Sequence, residues 1–169
     1  LFAEGEIETI AEKESSPVTN LKTIHDVDHH YSLISTDAEV NQLIEILSRH
    51  QVFCFDTETS DIEPVNAELV GMSFAVKPHE AWYVAAPRDF DNARILLEKF
   101  KMIFSDPTKD LVGQNYKYDY KMLLKYGVEV KNRIFYTMVA HYLINPDGKH
   151  GMDFLSEVYL RYAPVSIET

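Results

Sequence analysis

The stretch Val52-Phe53-Cys54-Phe55-Asp56-Thr57-Glu58-Thr59 decides the fold of this chain. It opens on a continuous apolar run, a pattern typical of a strand buried on both faces, and we predict that strand over residues 52–57. Cys54, the only cysteine, lies inside the run, so we expect it to fill the core. A lone cysteine also excludes a disulfide framework and a cysteine metal site.

Elements on both sides of this strand are predicted from apolar spacing and turn signals. Thr36 and Glu39 form a capping box that opens a helix ending near His50. The remaining strands are predicted at 31–34, 68–76, 81–85 and 111–113, with a hairpin turn at 77–80. The remaining helices are predicted at 92–104, 115–126, 137–143 and 152–162. A hairpin meander followed by helix, strand and helices predicts an α/β domain with a mixed sheet, antiparallel in its meander and flanked by helices. The alternative is a doubly wound parallel sheet.

Residues 1–30 differ from the rest in composition. They hold seven acids and two bases with few large apolar groups, so we expect a disordered tail or interdomain linker, followed by one domain over 31–169. The net charge of −11 lies partly in this tail and therefore neither supports nor excludes a DNA partner. No apolar run approaches the roughly 18 residues that cross a bilayer, and no leader pattern opens the chain, so we expect a cytoplasmic protein without a membrane partner.

Asp56 and Glu58 are the first candidate site. Two residues apart in an extended segment, both carboxylates leave the same face of the sheet, where they repel unless a cation binds or one takes up a proton. Hard divalent ions prefer such oxygen ligands. An ordinary solvated acidic pair is the alternative, but the end of a buried strand is where sites form in α/β sheets.

Asp119 is the second candidate. Gly113-Gln114-Asn115-Tyr116-Lys117-Tyr118-Asp119 runs from a short strand into a helix and places this carboxylate on the apolar stripe of its own helix. The alternative is a first-turn aspartate stabilised by the helix dipole. Three clustered acids could hold one or two Mg²⁺ ions, which indicates phosphodiester hydrolysis with two metals.

Several separated segments resemble one family, the proofreading 3′-5′ exonuclease domain of bacterial family A (polymerase I-like) DNA polymerases. Residues 55–59 (Phe-Asp-Thr-Glu-Thr) resemble its first motif, and residues 113–119 its second. The segments at 67–75, 142–146 (Tyr-Leu-Ile-Asn-Pro) and 150–155 (His-Gly-Met-Asp-Phe-Leu) follow in the family's order and spacing. The likeness covers about residues 31–168.

This resemblance implies a ribonuclease H-like fold and hydrolysis at the 3′ end of single-stranded DNA by two Mg²⁺ or Mn²⁺ ions, in a cytoplasmic, nucleoid-associated protein. The implied catalytic metal ligands are Asp56, Glu58 and Asp119. The implied substrate-binding residues are Thr59, Ile62, Gln114, Asn115, Lys117, Tyr118 and Lys149. For Ile62 partly buried packing, and for Lys149 a solvated charge, is an equally good interpretation.

The chain departs from the family pattern in two places. Phe135-Tyr136-Thr137-Met138 has tyrosine where the family has aspartate. The family's third motif, a tyrosine followed four residues later by an aspartate, is expected beyond Thr169, ahead of a C-terminal polymerase domain in a parent chain. We therefore expect residues 31–169 to be an incomplete domain that binds the metals weakly or not at all and has impaired activity.

Three alternatives to proofreading stay open from the sequence. A ribonuclease D-like RNA exonuclease shares the three acids, but the context of the second motif favours the polymerase family. A degenerate exonuclease kept as a structural scaffold is disfavoured by the intact Asp56, Glu58 and Asp119. A non-catalytic nucleic-acid binder is disfavoured by the acidic charge and the lack of a basic aromatic stripe.

Overall fold

The computed structural model describes residues 19–165, which form two compact units. Residues 30–136 make up the first, here called the sheet unit. Residues 19–29 and 137–165 belong to the second, here called the helical unit. No helix within the described residues is both long and apolar enough to cross a membrane.

The sheet unit contains six strands and three helices. Its elements are β1 (His30–Ile34), α1 (Asp37–Arg49), β2 (Val52–Thr59), β3 (Leu69–Lys77), β4 (Glu80–Ala85), α2 (Phe90–Phe104), β5 (Asp110–Gly113), α3 (Tyr116–Lys125) and β6 (Arg133–Tyr136). The strand order is β1-β4-β3-β2-β5-β6. The meander β2-β3-β4 is antiparallel, whereas β1 pairs with β4, β5 with β2 and β6 with β5 in parallel. The mixed sheet is confirmed and the all-parallel alternative is wrong.

The two faces of β2 differ, which corrects one prediction. Phe53, Phe55 and Thr57 are buried, whereas Val52 and Cys54 are exposed. The prediction that this strand is buried on both faces, and that Cys54 fills the core, is therefore wrong. A continuous apolar run does not reveal whether the second face of a sheet is covered, because valine and cysteine occur on both open and closed faces.

Aromatic side chains form the core under the closed face of the sheet. The rings of Phe55 and Phe104 meet edge to face with centroids 4.9 Å apart, and Phe74 stacks on Phe100 at 5.1 Å. Removing one such side chain from water contributes about 1.5–3 kcal/mol. This packing fixes β2 and β3 against α2, and it gives the end of β2 a rigid base.

Local signals place most elements where the sequence predicts them. The capping box is present, since Glu39 N donates to Thr36 Oγ1 at 3.3 Å and Thr36 N donates to Glu39 Oε2 at 2.8 Å. Strand β6 was not predicted. It has only four residues at the edge of the sheet, too few for a periodic pattern to identify it.

The helical unit contains α4 (Thr137–Ile144), α5 (Met152–Leu155) and a π-helical turn (Ser156–Leu160). The predicted helix at 152–162 is thus shorter and changes its hydrogen-bond pattern, ending before Arg161, whose φ is 54°. Lys22, in the predicted tail, pairs with the end of this segment: Lys22 N donates to Arg161 O and Ala163 N to Lys22 O, both at 2.8 Å. The first 18 residues of the predicted tail lie outside the described residues.

Candidate active site

The C-terminal end of β2 and the first turn of α3 carry the three predicted acids. Asp56 and Glu58 lie on the same face of β2 as the exposed Val52 and Cys54, here called the open face. In the sheet they pair with Ser73 and Gly71 of β3. Asp119 lies on the buried side of α3, as its spacing predicted, and is only 2% exposed. A carboxylate so deeply buried requires polar partners to offset the loss of hydration.

Thr57 provides those partners for Asp119. Pairing between β2 and β5 extends to Cys54 and Val112, so the edge of β2 is open further along the strand. There Thr57 N donates to Asp119 Oδ1 at 3.0 Å, and Thr57 Oγ1 donates to the same oxygen at 2.6 Å. Both bonds connect α3 to the strand that carries the other two acids.

Burial and mutual repulsion act on the acids together. Burial, with smaller contributions from the charges of Asp119 and Glu58, raises the pKa of Asp56 to about 7. Burial also raises the pKa of Asp119 to about 6, opposed by the hydrogen bonds from Thr57. The ionised form of both groups is therefore disfavoured, and a cation close to them would reverse that preference.

The donor set fits a hard divalent cation in its chemistry. Carboxylate oxygens are the ligands Mg²⁺ prefers. The acids also lie near one another, since the charges of Asp119 and Glu58 help to raise the pKa of Asp56, and the charge of Glu58 helps to raise the pKa of Asp119. In residues 19–165, however, no three His, Cys, Asp or Glu side chains converge closely enough to hold an ion. Same-face residues of a strand, such as Asp56 and Glu58, are about 7 Å apart.

Two of the predicted substrate-binding residues form a second link between β2 and α3. Thr59 Oγ1 and Tyr118 Oη are 2.6 Å apart, and Thr59 Oγ1 also donates to the backbone oxygen of Asp61 at 3.0 Å. Tyr118 Oη contacts that same backbone oxygen. The loop after β2 is therefore fixed at its start, while Ile62 within it is 87% exposed, which excludes the packing interpretation of Ile62.

The turn between β5 and α3 carries three more predicted substrate residues. Gln114 is half-buried, whereas Asn115 and Lys117 are exposed. Asn115 adopts the left-handed conformation with φ 52°, a region that asparagine tolerates better than most residues. Its Oδ1 accepts a hydrogen bond from Tyr136 Oη at 3.2 Å. The turn is thus held in one conformation from the neighbouring strand β6.

Lys149 belongs to the helical unit. It is exposed, and its Nζ lies 5.8 Å from the centroid of the Phe154 ring. Its contact with a substrate phosphate stays a prediction.

Sequence reasoning missed two residues beside the acids. Thr57 was overlooked because it lies between two carboxylates in the sequence. Its side chain leaves the opposite face of the strand, as the alternation of side chains along a strand would have predicted. Tyr83 of β4 lies directly over Gly71, the residue paired with Glu58, and leaves no room there for a side chain. No sequence pattern joins Tyr83 to Glu58, since strand register brings them together.

A comparison with known families decides the assignment. The profile of the 3′-5′ exonuclease family matches residues 31–168. The chain belongs to the 3′-5′ exonuclease family. A curated relative, DNA polymerase I of Borreliella burgdorferi, is 34% identical over 162 residues, which are 92% of this chain and 18% of that protein. The chain thus spans about a fifth of the length of the curated relatives that it matches.

Solved structures support the fold of this exonuclease. The catalytic core of RRP6 from Trypanosoma brucei superposes with a TM-score of 0.66 at 16% identity, covering 95% of this chain and 43% of that one. Escherichia coli RNase D, an exoribonuclease involved in structured RNA processing, superposes with a TM-score of 0.61 at 18% identity. The match covers 77% of this chain and 33% of RNase D. The ribonuclease H-like exonuclease fold is confirmed. NrnC of Brucella melitensis, solved with bound Mg²⁺, has the same fold, with a TM-score of 0.59 at 14% identity over 85% of this chain and 66% of that one.

Proposed function

We propose that this exonuclease domain removes nucleotides from the 3′ end of single-stranded DNA and proofreads for a polymerase domain in the same parent chain. The observation that carries the proposal is the grouping of Asp56, Glu58 and Asp119 at the junction of β2 and α3. Burial and repulsion raise the pKa of Asp56 and of Asp119, as expected for groups that bind cations.

In this proposal Asp56, Glu58 and Asp119 hold two Mg²⁺ or Mn²⁺ ions. Bound metals would supply an activated water for in-line attack and stabilise the departing 3′ oxygen. The protein residues position those acids: the aromatic core fixes β2, and the hydrogen bonds of Thr57 fix α3 beside it. The family's third motif would add a fourth acid and a tyrosine from the parent chain.

The 3′-terminal nucleotides would lie against the residues around the two β2–α3 links. Exposed Ile62 is available to stack against a base, and exposed Lys117 and the Asn115 turn are available to a phosphate. Thr59 and Tyr118, already hydrogen-bonded to each other, would shape the path between them. Lys149 is proposed as a further phosphate contact.

The relatives support the partner and the setting. Because the matched relatives are bacterial DNA polymerase I proteins, we propose a polymerase domain that follows this domain in the parent chain, acting on the nucleoid in the cytoplasm. A second candidate substrate is RNA, since the fold also matches an RNase D. The identity to DNA polymerase I, higher than that to RNase D, favours DNA.

Degradation by the parent chain tests the choice of substrate. Matched single-stranded DNA and RNA oligonucleotides, each labelled at the 5′ end, would be incubated with the parent chain and Mn²⁺. Stepwise shortening of the DNA from its 3′ end, with the RNA degraded more slowly, is the expected result. Faster RNA degradation would favour the ribonuclease alternative, and intact DNA and RNA would indicate a structural scaffold.

A further inference from the structure

The two threonines of β2 at positions 57 and 59 face α3, whereas the two acids face the open side of the sheet. Thr57 donates twice to Asp119, and Thr59 pairs with Tyr118, the residue before Asp119. The threonines and the acids are separated in this way because successive side chains of a strand leave opposite faces. One segment thus supplies two acids and also holds the helix that carries the third.

The hydrogen bonds of Thr57 engage a single oxygen of Asp119. Both the amide and the hydroxyl reach Oδ1, at 3.0 and 2.6 Å. Two donors on one oxygen fix the rotation of the carboxylate and orient its second oxygen. Both residues are buried, at 9% and 2% exposed, so water competes little with these bonds.

We propose that Thr57 is a positioning residue that holds Asp119 in the orientation in which it binds a divalent metal ion. This inference rests on the proposed function, because it takes Asp119 as a metal ligand. Thr57 contacts neither metal nor DNA and acts through Asp119. Hydrogen bonds to a ligating carboxylate fix its direction, and removing such an outer partner typically costs 10- to 100-fold in metal affinity or activity, by general experience with metal sites.

Thr57→Val in the parent chain isolates the hydroxyl. Valine keeps the shape of threonine and keeps the amide bond, but it deletes the shorter of the two hydrogen bonds. Thr57→Ser restores a hydroxyl and serves as the conservative rescue. Each variant would be assayed for bound Mn²⁺ by electron paramagnetic resonance, counting only the Mn²⁺ that is lost in Asp56→Asn, and for nucleotide release from single-stranded DNA.

Thr108 offers a matched control. Its amide and hydroxyl also donate to one carboxylate oxygen, Oδ1 of Asp106, at 2.9 and 2.6 Å, but on an exposed turn before β5. Thr108→Val therefore removes the same kind of bond without touching Asp119. We expect its Mn²⁺ affinity and activity to equal those of the unsubstituted chain.

The expected result is a loss of about 10- to 100-fold in Mn²⁺ affinity for Thr57→Val, with most of it restored in Thr57→Ser. Equal or tighter Mn²⁺ binding in Thr57→Val would overturn the inference, tighter binding showing that Thr57 holds Asp119 away from the metal. An equal loss in Thr57→Ser would also overturn it, because packing and not the hydroxyl would then be responsible. If Asp56→Asn removes no Mn²⁺ and no activity, the proposed function itself fails.

Discussion

The two faces of β2 bear different side chains and have different tasks. The closed face carries Phe53, Phe55 and Thr57, all buried, while the open face carries Val52, Cys54, Asp56 and Glu58. On the closed face the aromatic residues contribute stability, and Thr57 reaches the neighbouring helix. On the open face, burial and the charges of Asp119 and Glu58 raise the pKa of Asp56, so the ionised carboxylate of Asp56 lowers the stability of the fold. One face of β2 therefore stabilises the fold, whereas the other carries acids of the candidate metal site at a cost in stability.

The largest expected effect on this contrast comes from the closed face. Phe55→Ala removes a ring in contact with Phe74 and Phe104 and leaves a cavity, so we expect a loss of about 3–5 kcal/mol in the free energy of unfolding. Urea unfolding followed by circular dichroism measures it. A loss below about 1 kcal/mol would show that the core is not well packed at this position.

The next effect comes from the acids of the open face. Asp56→Asn keeps the size of the side chain and removes a proposed metal ligand, so nucleotide release from single-stranded DNA by the parent chain should fall at least about 100-fold. Stability should not fall with it, because the substitution also removes a repelled charge. Release rates together with melting temperatures check both statements, and undiminished release would refute the role of Asp56.

A smaller effect is a dependence of stability on pH in the presence of a chelator. The folded-state pKa of Asp56, about 7, lies above the ordinary value of 3.8. A raised folded-state pKa means that stability is fully present below the ordinary pKa and is lost as pH rises through the folded pKa. Melting temperature should therefore decrease between about pH 4 and about pH 7.

Asp56→Asn is the matched variant for that measurement. It should flatten the decrease, leaving a weaker slope from Asp119, whose pKa is also raised, to about 6. Mn²⁺ should reduce the decrease in the unsubstituted chain more than in the variant. A slope that is the same in both proteins would mean that Asp56 titrates alike in the folded and unfolded chain.

The smallest effect is expected at Cys54. Because this side chain is exposed on the open face, Cys54→Ser should change the free energy of unfolding by no more than about 0.5 kcal/mol. Urea unfolding compares it directly with Phe55→Ala, its neighbour on the closed face. A cost of about 2 kcal/mol or more would show that the open face is covered in solution.

The sequence predicted those elements of the fold that are long enough to show a periodic apolar pattern or that begin with a recognisable capping motif. The capping box at Thr36 and the apolar stripe that includes Asp119 follow from spacing alone, and the structure contains both. The face assignment of Cys54 could not be predicted, because it depends on which helices pack against which side of the sheet. Strand β6, with four residues, was too short for apolar spacing to predict it.

The site was predicted only in part for a related reason. Asp56 and Glu58 are neighbours in sequence, so their shared face follows from strand geometry. The link between Thr57 and Asp119 spans 62 residues and depends on where pairing with β5 ends. The contact of Tyr83 with Gly71 depends likewise on strand register. Long-range register of this kind is not visible in one sequence.

The proposed roles of the three acids are tested most directly by nucleotide release from a 3′-labelled single-stranded oligonucleotide in Mn²⁺. Release would be compared between the parent chain and its Asp56→Ala, Glu58→Ala and Asp119→Ala variants. We expect release by the unsubstituted chain, loss of release in all three variants, and slower release by residues 1–169 alone. If release persists in the variants, or if the parent chain releases nothing, the three acids do not have the proposed catalytic role.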